Sequence, residues 1–325
     1  MQDGTGSVGE AAAGRDATRA RRLARGFGAL VGLTGCLIVL GALVRAHGAG
    51  LACPDWPLCF GELVPRFDFH VAFEVGHRYL AGTVTLLFLG LSAQTLRRAD
   101  TRRAVAGLLA LAAGLLGLQV VLGGLTVLRL LASWTVTAHL LTGNAFAVTL
   151  LLVACGLAEA ARPRAPRPAL PPGLRLALGL AAALLVLQVA LGGLVSSSYA
   201  GLACPDWPSC RDGVFVPSLH GPVALHLAHR WNAVLLLAAL AAAAGAARRD
   251  PTLARVTRGA LLLGLAQLGL GVANVRLGIP VEITALHSAA ACGLVLTLAF
   301  GLREAWLRPV ARREGLSAVG LARAR

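Results

Sequence analysis

The chain has 325 residues, of which 57% are hydrophobic and only 14% are charged, and its mean hydropathy is +0.72. This composition excludes an ordinary soluble protein and is typical of a protein that crosses the membrane several times. The formal net charge of +15 does not indicate nucleic-acid binding, because all 30 basic residues are arginines that lie mostly in short clusters between apolar segments.

Eight apolar segments follow one another, each long enough for the roughly 20 residues that a membrane-spanning helix needs. They lie near 27–46, 70–96, 104–128, 133–156, 174–196, 222–247, 256–276 and 281–302. Arginines cluster before the first segment, in every second loop and after the last segment. The positive-inside rule therefore predicts a multi-pass protein of the cell (inner) membrane with both termini cytoplasmic.

Polar stretches divide the chain into regions. Residues 1–26 are Gly/Ala-rich with five arginines, and we expect a disordered cytoplasmic tail. We expect an N-terminal four-helix half over 27–158, a proline-rich cytoplasmic linker over 159–173, and a C-terminal four-helix half over 174–305. A second cytoplasmic tail covers 306–325. The predicted fold is thus an all-α polytopic membrane protein built from two four-helix bundles.

An internal duplication relates the two halves. The decapeptide at 50–59 recurs at 201–210 with nine identical residues, which chance does not produce. Each copy lies in an extracytoplasmic loop, where oxidising conditions favour two disulfides, Cys53–Cys59 and Cys204–Cys210. Both a structural and a redox-active role remain open, since a short loop with two prolines is also a candidate for easy reduction. We expect Trp56 and Trp207 to anchor these loops at the membrane interface.

Four histidines occupy matching positions in the second, fourth, sixth and eighth segments. Each is about seven residues from the outer end, on the order of 10 Å below the outer surface. They are His77, His139, His229 and His287. Ionisable residues inside spans are costly and are functional candidates. Facing imidazoles in a four-helix bundle can take both axial positions of a haem iron, whereas no Cys or carboxylate in the spans completes a four-ligand zinc site.

The residues beside these histidines differ between the halves. Glu74 lies three residues before His77 on the same helix face, where it could act as a base or only solvate the helix end. The corresponding residue of the second half is His226, to which the sequence assigns no role. Arg78 and Arg230 follow the histidines, and both haem propionates and lipid headgroups are candidate partners for their guanidinium groups.

This combination resembles the haem A synthase family of the CtaA/Cox15 type. The resemblance covers about residues 27–305 and rests on the eight spans, the two Cys-pair loops and the Glu-x-x-His-Arg sequence at 74–78. It implies an enzyme that oxidises a ring methyl group of haem O to the formyl group of haem A. Successive oxidations would pass through a hydroxymethyl group and a hydrated aldehyde.

The resemblance also implies roles for individual residues. The residues implied as iron ligands are His229 and His287 for a haem b cofactor, and His77 and His139 for the substrate haem. Arg78, next to His77, is a candidate for binding the propionates of the substrate haem. The resemblance implies a catalytic role for Glu74. Cys53 and Cys59 are candidate catalytic residues because of the redox chemistry open to their loop. Haem O synthase, terminal-oxidase assembly factors and further copies of the chain are the candidate partners.

Other classes remain open from the residues alone. A bis-histidine transmembrane cytochrome b would carry electrons between two similar haems and would need neither Glu74 nor the Cys loops. A thiol–disulfide oxidoreductase would explain the loops but not the four intramembrane histidines. A haem transporter is a further alternative.

Overall fold

A computed structural model describes residues 4–162, 165–166 and 169–307. These residues form eight long α-helices, two single-turn 3-10 helices and no strand. The long helices are α1 (Gly4–Ala46), α2 (Phe69–Leu96), α3 (Ala99–Leu128), α4 (Ser133–Ala161), α5 (Pro172–Ser197), α6 (Gly221–Ala246), α7 (Pro251–Arg276) and α8 (Val281–Trp306). All eight are long and apolar enough to cross a membrane, which confirms the prediction of an all-α polytopic membrane protein.

The N-terminus differs from its predicted disorder, because α1 is already helical from Gly4. Alanine and arginine are strong helix formers, and they dominate this segment. Ala20, Leu23 and Phe27 are buried, so the inner end of α1 packs against protein. The prediction of disorder is therefore wrong for the described part of the tail. The C-terminal tail from residue 308 and parts of the linker lie outside the described residues.

Two apolar cores fill the ends of the helices that lie away from the disulfide loops. The first is built from α1 to α4, with Phe27, Phe88 and Leu150 among its fully buried side chains. The second is built from α5 to α8, with Leu178 and Leu298 at its centre. Because these cores occupy the inner ends, the histidines near the outer ends lie above tightly packed layers.

The two sets of helices meet through α1 with α8, α4 with α5, and α4 with α8. At the outer end of this junction the Arg45 Nε atom donates to Ser196 Oγ at 2.8 Å. These residues are 151 positions apart, which is the spacing of the repeated decapeptide. Equivalent positions of the two copies are therefore in direct contact, as at the centre of an isologous interface.

The start of α2 fixes the register of the residues that follow it. Asp68 caps the helix, and its side chain accepts hydrogen bonds from the backbone N–H groups of His70 and Val71. This satisfies two of the free donors at a helix N-terminus. Glu74 and His77 consequently lie one and two turns into a well-defined helix.

Candidate functional site

Each of the four histidines lies against a glycine of the helix that precedes its own. A Cβ atom added to these glycines would stand 3.1, 3.4, 3.2 and 3.6 Å from the imidazole Cε1 atom, in chain order. The pairs, in that order, are Gly41 with His77, Gly123 with His139, Gly192 with His229 and Gly271 with His287. Carbon atoms prefer separations of about 3.5–4.0 Å. The glycines therefore leave the space that the rings occupy.

The four imidazoles form two pairs. His77 lies near enough to His139 for charges on the two rings to influence each other, and the same holds for His229 with His287 and with His226. The Nδ1 atoms of His77, His139 and His287 are buried without a hydrogen-bond partner. Such buried nitrogens are uncommon and require an explanation, such as a ligand. In the part of the chain that the structure describes, no group of three or more His, Cys, Asp or Glu side chains is arranged to hold a metal ion.

Glutamines hold three of the histidine-bearing helices. A glutamine Nε2 atom donates to the histidine carbonyl oxygen in two cases, Gln119 to His139 at 3.0 Å and Gln267 to His287 at 2.9 Å. Gln188 differs, because its Nε2 atom lies 3.2 Å from the Nδ1 atom of the His229 ring. The glutamines thus bond between neighbouring helices.

Glu74 lies on the His77 side of α2, and its carboxylate is held by the first outer loop. Its Oε2 atom accepts the backbone N–H of Cys53 at 2.9 Å, and its Oε1 atom accepts a hydrogen bond from Arg78 at 2.5 Å. Glu74 is only 5% exposed. Arg78 also donates to three loop carbonyl groups, those of Asp55, Pro57 and Leu58. The sequence did not predict this attachment of the pair to the loop.

The second half repeats the arginine contact but replaces the carboxylate. Arg230 donates to the carbonyl oxygens of Asp206, Ser209 and Cys204 at 2.9, 3.1 and 2.6 Å. His226 is buried, and its Nδ1 atom lies 3.0 Å from the carbonyl oxygen of Ala200, so this nitrogen is the donor. Both arginines therefore hold loops in this structure, whereas haem propionates and lipid headgroups were the partners expected from the sequence.

Both expected disulfides are present, Cys53–Cys59 and Cys204–Cys210. All four cysteines are buried. The first pair packs against Val71 and Val75 of α2, and the second against Leu227 of α6. The disulfides thus lie directly on the outer ends of the helices that carry His77 and His229.

The carboxylate of Asp55 closes the first loop. It accepts the backbone N–H groups of Phe60 at 2.7 Å and Gly61 at 2.8 Å. Both residues have positive φ angles, 55° and 74°, so the chain turns sharply here. The hydrogen bond from Gly61 is the largest influence and lowers the pKa of the Asp55 carboxyl group below its usual value; desolvation opposes it in part, and the hydrogen bond from Phe60 adds to the lowering.

The tryptophans of the two decapeptides have different surroundings. The Trp56 ring lies against α3, where a Cβ atom at Gly124 would be 3.3 Å from the nearest ring carbon. Trp207 instead lies beside Arg230, whose guanidinium carbon is 5.5 Å from the ring centroid. Trp56 thus contacts α3 at a position where glycine leaves space for its indole, while its place at the membrane interface stays a prediction.

These features define a class of multi-pass membrane protein with two intramembrane histidine pairs beneath two disulfide loops. The chain matches the COX15-CtaA family model, described as cytochrome oxidase assembly protein, over residues 27–75 and 66–299. This chain belongs to the COX15-CtaA family.

Several relatives are similar over most of their length. A protein named heme A synthase from Shewanella oneidensis is 31% identical over 307 residues, covering 81% of this chain and 90% of the relative. One of the same name from Methylobacterium sp. (strain 4-46) is 30% identical over 340 residues, covering 87% and 91%. A third, from Symbiobacterium thermophilum, is 35% identical over 211 residues, covering 61% and 66%.

Proposed function

We propose that this protein acts as a haem A synthase, a membrane oxidoreductase that converts the methyl group of haem O into the formyl group of haem A. The observation that carries the proposal is the set of four imidazoles in two pairs, each seated against a glycine at the outer end of the membrane span. Family membership and the names of the relatives support it over an electron-carrying cytochrome b or a thiol–disulfide oxidoreductase.

The resident cofactor in this proposal is haem b, held by His229 and His287. The site fits such a group because the two imidazoles are paired, glycines rather than side chains stand beside them, and the buried Nδ1 atom of His287 lacks a protein partner. Two axial imidazoles are a common ligand set for haem iron. When bound, haem b supplies a centre that can pass single electrons.

The substrate haem O is assigned to His77 and His139 in the N-terminal half. Both have buried Nδ1 atoms without a partner, which leaves these rings available for a ligand that the protein itself does not supply. Arg78 carries the positive charge closest to this pair in sequence, and a guanidinium group binds carboxylates such as haem propionates well. Its present contacts with the loop carbonyls would have to be shared or exchanged for that purpose.

Glu74 is the proposed proton acceptor. Oxidation of a methyl group releases protons, and Glu74 is a buried carboxylate one helical turn from His77. Both of its oxygen atoms are occupied, by Cys53 N–H and by Arg78. A proton can therefore be taken up at Oε1 or Oε2 when one of these donors turns away. Cys53 and Cys59 are proposed to take part in catalysis, because the loop that they close also donates the Cys53 N–H to Glu74.

We further propose two four-helix halves, 27–158 and 174–305, with both termini in the cytoplasm. The arginine clusters support this orientation. The two disulfides lie at the opposite ends of the helices, which agrees with an oxidising compartment on that side. Haem O synthase, oxidase assembly factors and further copies of the chain are the proposed partners.

The proposal is tested by expressing the protein in a host that makes haem O but no haem A, and extracting the pigments. We expect a haem with the mass and absorption of the formyl product, and none from a His77→Ala control. Recovery of haem b and haem O alone, from membranes that contain folded protein, would contradict the enzymatic function.

The division between the halves has its own test. Replacing His229 or His287 by alanine should remove the low-spin haem b spectrum of the purified protein. Replacing His77 or His139 should keep that spectrum and stop product formation. If the low-spin spectrum survives in both His229→Ala and His287→Ala, the cofactor is held elsewhere.

A further inference from the structure

We infer that Trp56 forms part of the wall of the substrate-haem site, and that Gly124 is the residue that holds it there. This inference rests on the proposed function, because it concerns the haem assigned to His77 and His139. It makes Trp56 a positioning residue for the substrate, in addition to the iron ligands.

The first observation is the contact between the loop and α3. A Cβ atom at Gly124 would stand 3.3, 3.4 and 3.6 Å from three carbon atoms of the Trp56 ring, so the indole occupies the space that any side chain at this position would need. Gly124 itself is buried. The indole remains 38% exposed, so part of it is available to a further molecule.

The second observation is the position of His139. Its imidazole lies against Gly123, the residue next to Gly124. Successive residues of an α-helix differ in height by about 1.5 Å and in direction by a little more than a quarter turn. Trp56 and His139 are therefore at the same depth in the membrane and lie on adjacent faces of α3.

The third observation is that the duplicated half lacks this arrangement. The sequence Gln-x-x-x-Gly occurs in both helices, at Gln119 and at Gln267, but the residue after the glycine is Gly124 in α3 and Val272 in α7. The tryptophans themselves belong to decapeptides with nine identical residues. Trp207 lies beside Arg230. Position 272 carries a valine side chain, whereas the glycine at position 124 leaves space for an indole.

A rigid indole beside a flat macrocycle has a clear physical effect. Aromatic contacts add favourable energy beyond the area they bury, and an indole loses little conformational freedom when its ring is already held. The slot at Gly124 thus positions an aromatic surface on α3 beside the residue that contacts His139. We expect it to favour binding of the substrate haem in the N-terminal half.

The test compares four variants with the wild type, all purified with haem b bound. Added haem O is titrated by absorbance, and quenching of tryptophan fluorescence by the bound haem is recorded as a second signal. Gly124→Val reproduces the residue of α7, and Trp56→Ala removes the indole. Val272→Gly and Trp207→Ala are the matched controls in the other half.

Gly124→Val and Trp56→Ala should raise the Kd for haem O roughly tenfold, while both controls stay at the wild-type value. A fifth variant, Trp56→Phe, should recover most of the affinity. Recovery in Trp56→Phe would show that the aromatic ring matters. An unchanged haem b spectrum in each variant would show that the protein is folded. In the wild type, quenching should include a component that Trp56→Phe removes.

Equal Kd values for the wild type, Gly124→Val and Trp56→Ala would overturn the inference, as would equal losses in the two controls. If the wild type binds haem O and forms haem A while these variants are unchanged, the inference alone fails. If the wild type neither binds haem O nor forms haem A, the proposed function fails as well.

Discussion

The glycines beside the histidines allow a graded test of the ligand geometry. A methyl group added at Gly192 would stand 3.2 Å from Cε1 of His229, whereas one added at Gly271 would stand 3.6 Å from Cε1 of His287. The first distance is shorter than the preferred carbon–carbon separation and the second lies within it. Alanine at 192 therefore forces the His229 ring to move by roughly 0.3–0.5 Å, and alanine at 271 does not.

The effect on stability should be small in both variants. Exchanging a mid-helix glycine for alanine favours the helix by about 1 kcal/mol. Displacing the His229 ring from its preferred rotamer costs about 0.5–1.5 kcal/mol. These terms nearly cancel for Gly192→Ala, and only the favourable one applies to Gly271→Ala. Both proteins should therefore accumulate normally, so a spectral change in one of them reports on geometry and not on folding.

The assay is the low-spin absorption and electron paramagnetic resonance of haem b in the purified variants. Gly192→Ala should shift these signals or weaken haem retention, while Gly271→Ala should match the wild type. In the other half, Gly41→Ala, with a distance of 3.1 Å to His77, should impair product formation more than Gly123→Ala at 3.4 Å. Identical spectra for Gly192→Ala and Gly271→Ala would refute the view that these contacts set the position of the ligands.

Three further predictions concern the first outer loop. Glu74→Gln keeps the shape and the acceptor for Cys53 N–H but removes the charge, so we expect normal haem b with little haem A in extracted pigments; a wild-type yield would contradict the catalytic assignment. Cys53→Ser should abolish the disulfide, checked by the mass of alkylated peptides. Loss of haem A at a normal protein level favours a redox role, loss of protein favours a structural one, and no change in either removes the catalytic assignment. For Asp55, whose pKa is lowered by the fold, the stabilisation of the loop is complete above the usual carboxyl pKa of about 3.9 and is lost as the pH falls through the lowered value. Hydrogen exchange of the Phe60 and Gly61 amides should accelerate in that acidic range, and Asp55→Asn should show no such step.

The spans and the matched histidines could be predicted because their signals are local. Continuous apolar segments of about 20 residues mark membrane helices, and a repeated spacing from each predicted helix start gives each histidine its depth. Seven of the eight long helices described here both begin and end within about five residues of the predicted segments, and the exception is α1, which starts at Gly4. There the inner end of the helix packs on the first core, a tertiary effect that composition does not reveal.

The contacts between helices could not be predicted in this way. The glycines opposite the histidines belong to different helices, so no spacing within one segment connects Gly41 with His77 or Gly192 with His229. The contact between Trp56 and Gly124 did have a signal in the sequence, because the residue after the Gln-x-x-x-Gly pattern is glycine in α3 and valine in α7. Its meaning depends on knowing that a loop tryptophan reaches that helix face.

Arg78 and Arg230 both hold an outer loop, but only Arg78 is also shown in an ion pair with a carboxylate of its own helix. Arg78 holds the first loop and is also paired with Glu74, and both side chains are largely buried. Removing one partner from a buried ion pair is costly, on the order of 3–5 kcal/mol, so Arg78 and Glu74 are expected to depend on each other for stability. In the second half His226 bonds to a backbone carbonyl instead, and Arg230 gains a bond to the Cys204 carbonyl. Duplication thus produced one half with a buried carboxylate beneath the outer loop, and a second half with a buried imidazole at the corresponding position. Since proton removal belongs to the oxidation of the substrate and not to the holding of a cofactor, this difference agrees with haem O in the N-terminal half and haem b in the C-terminal half.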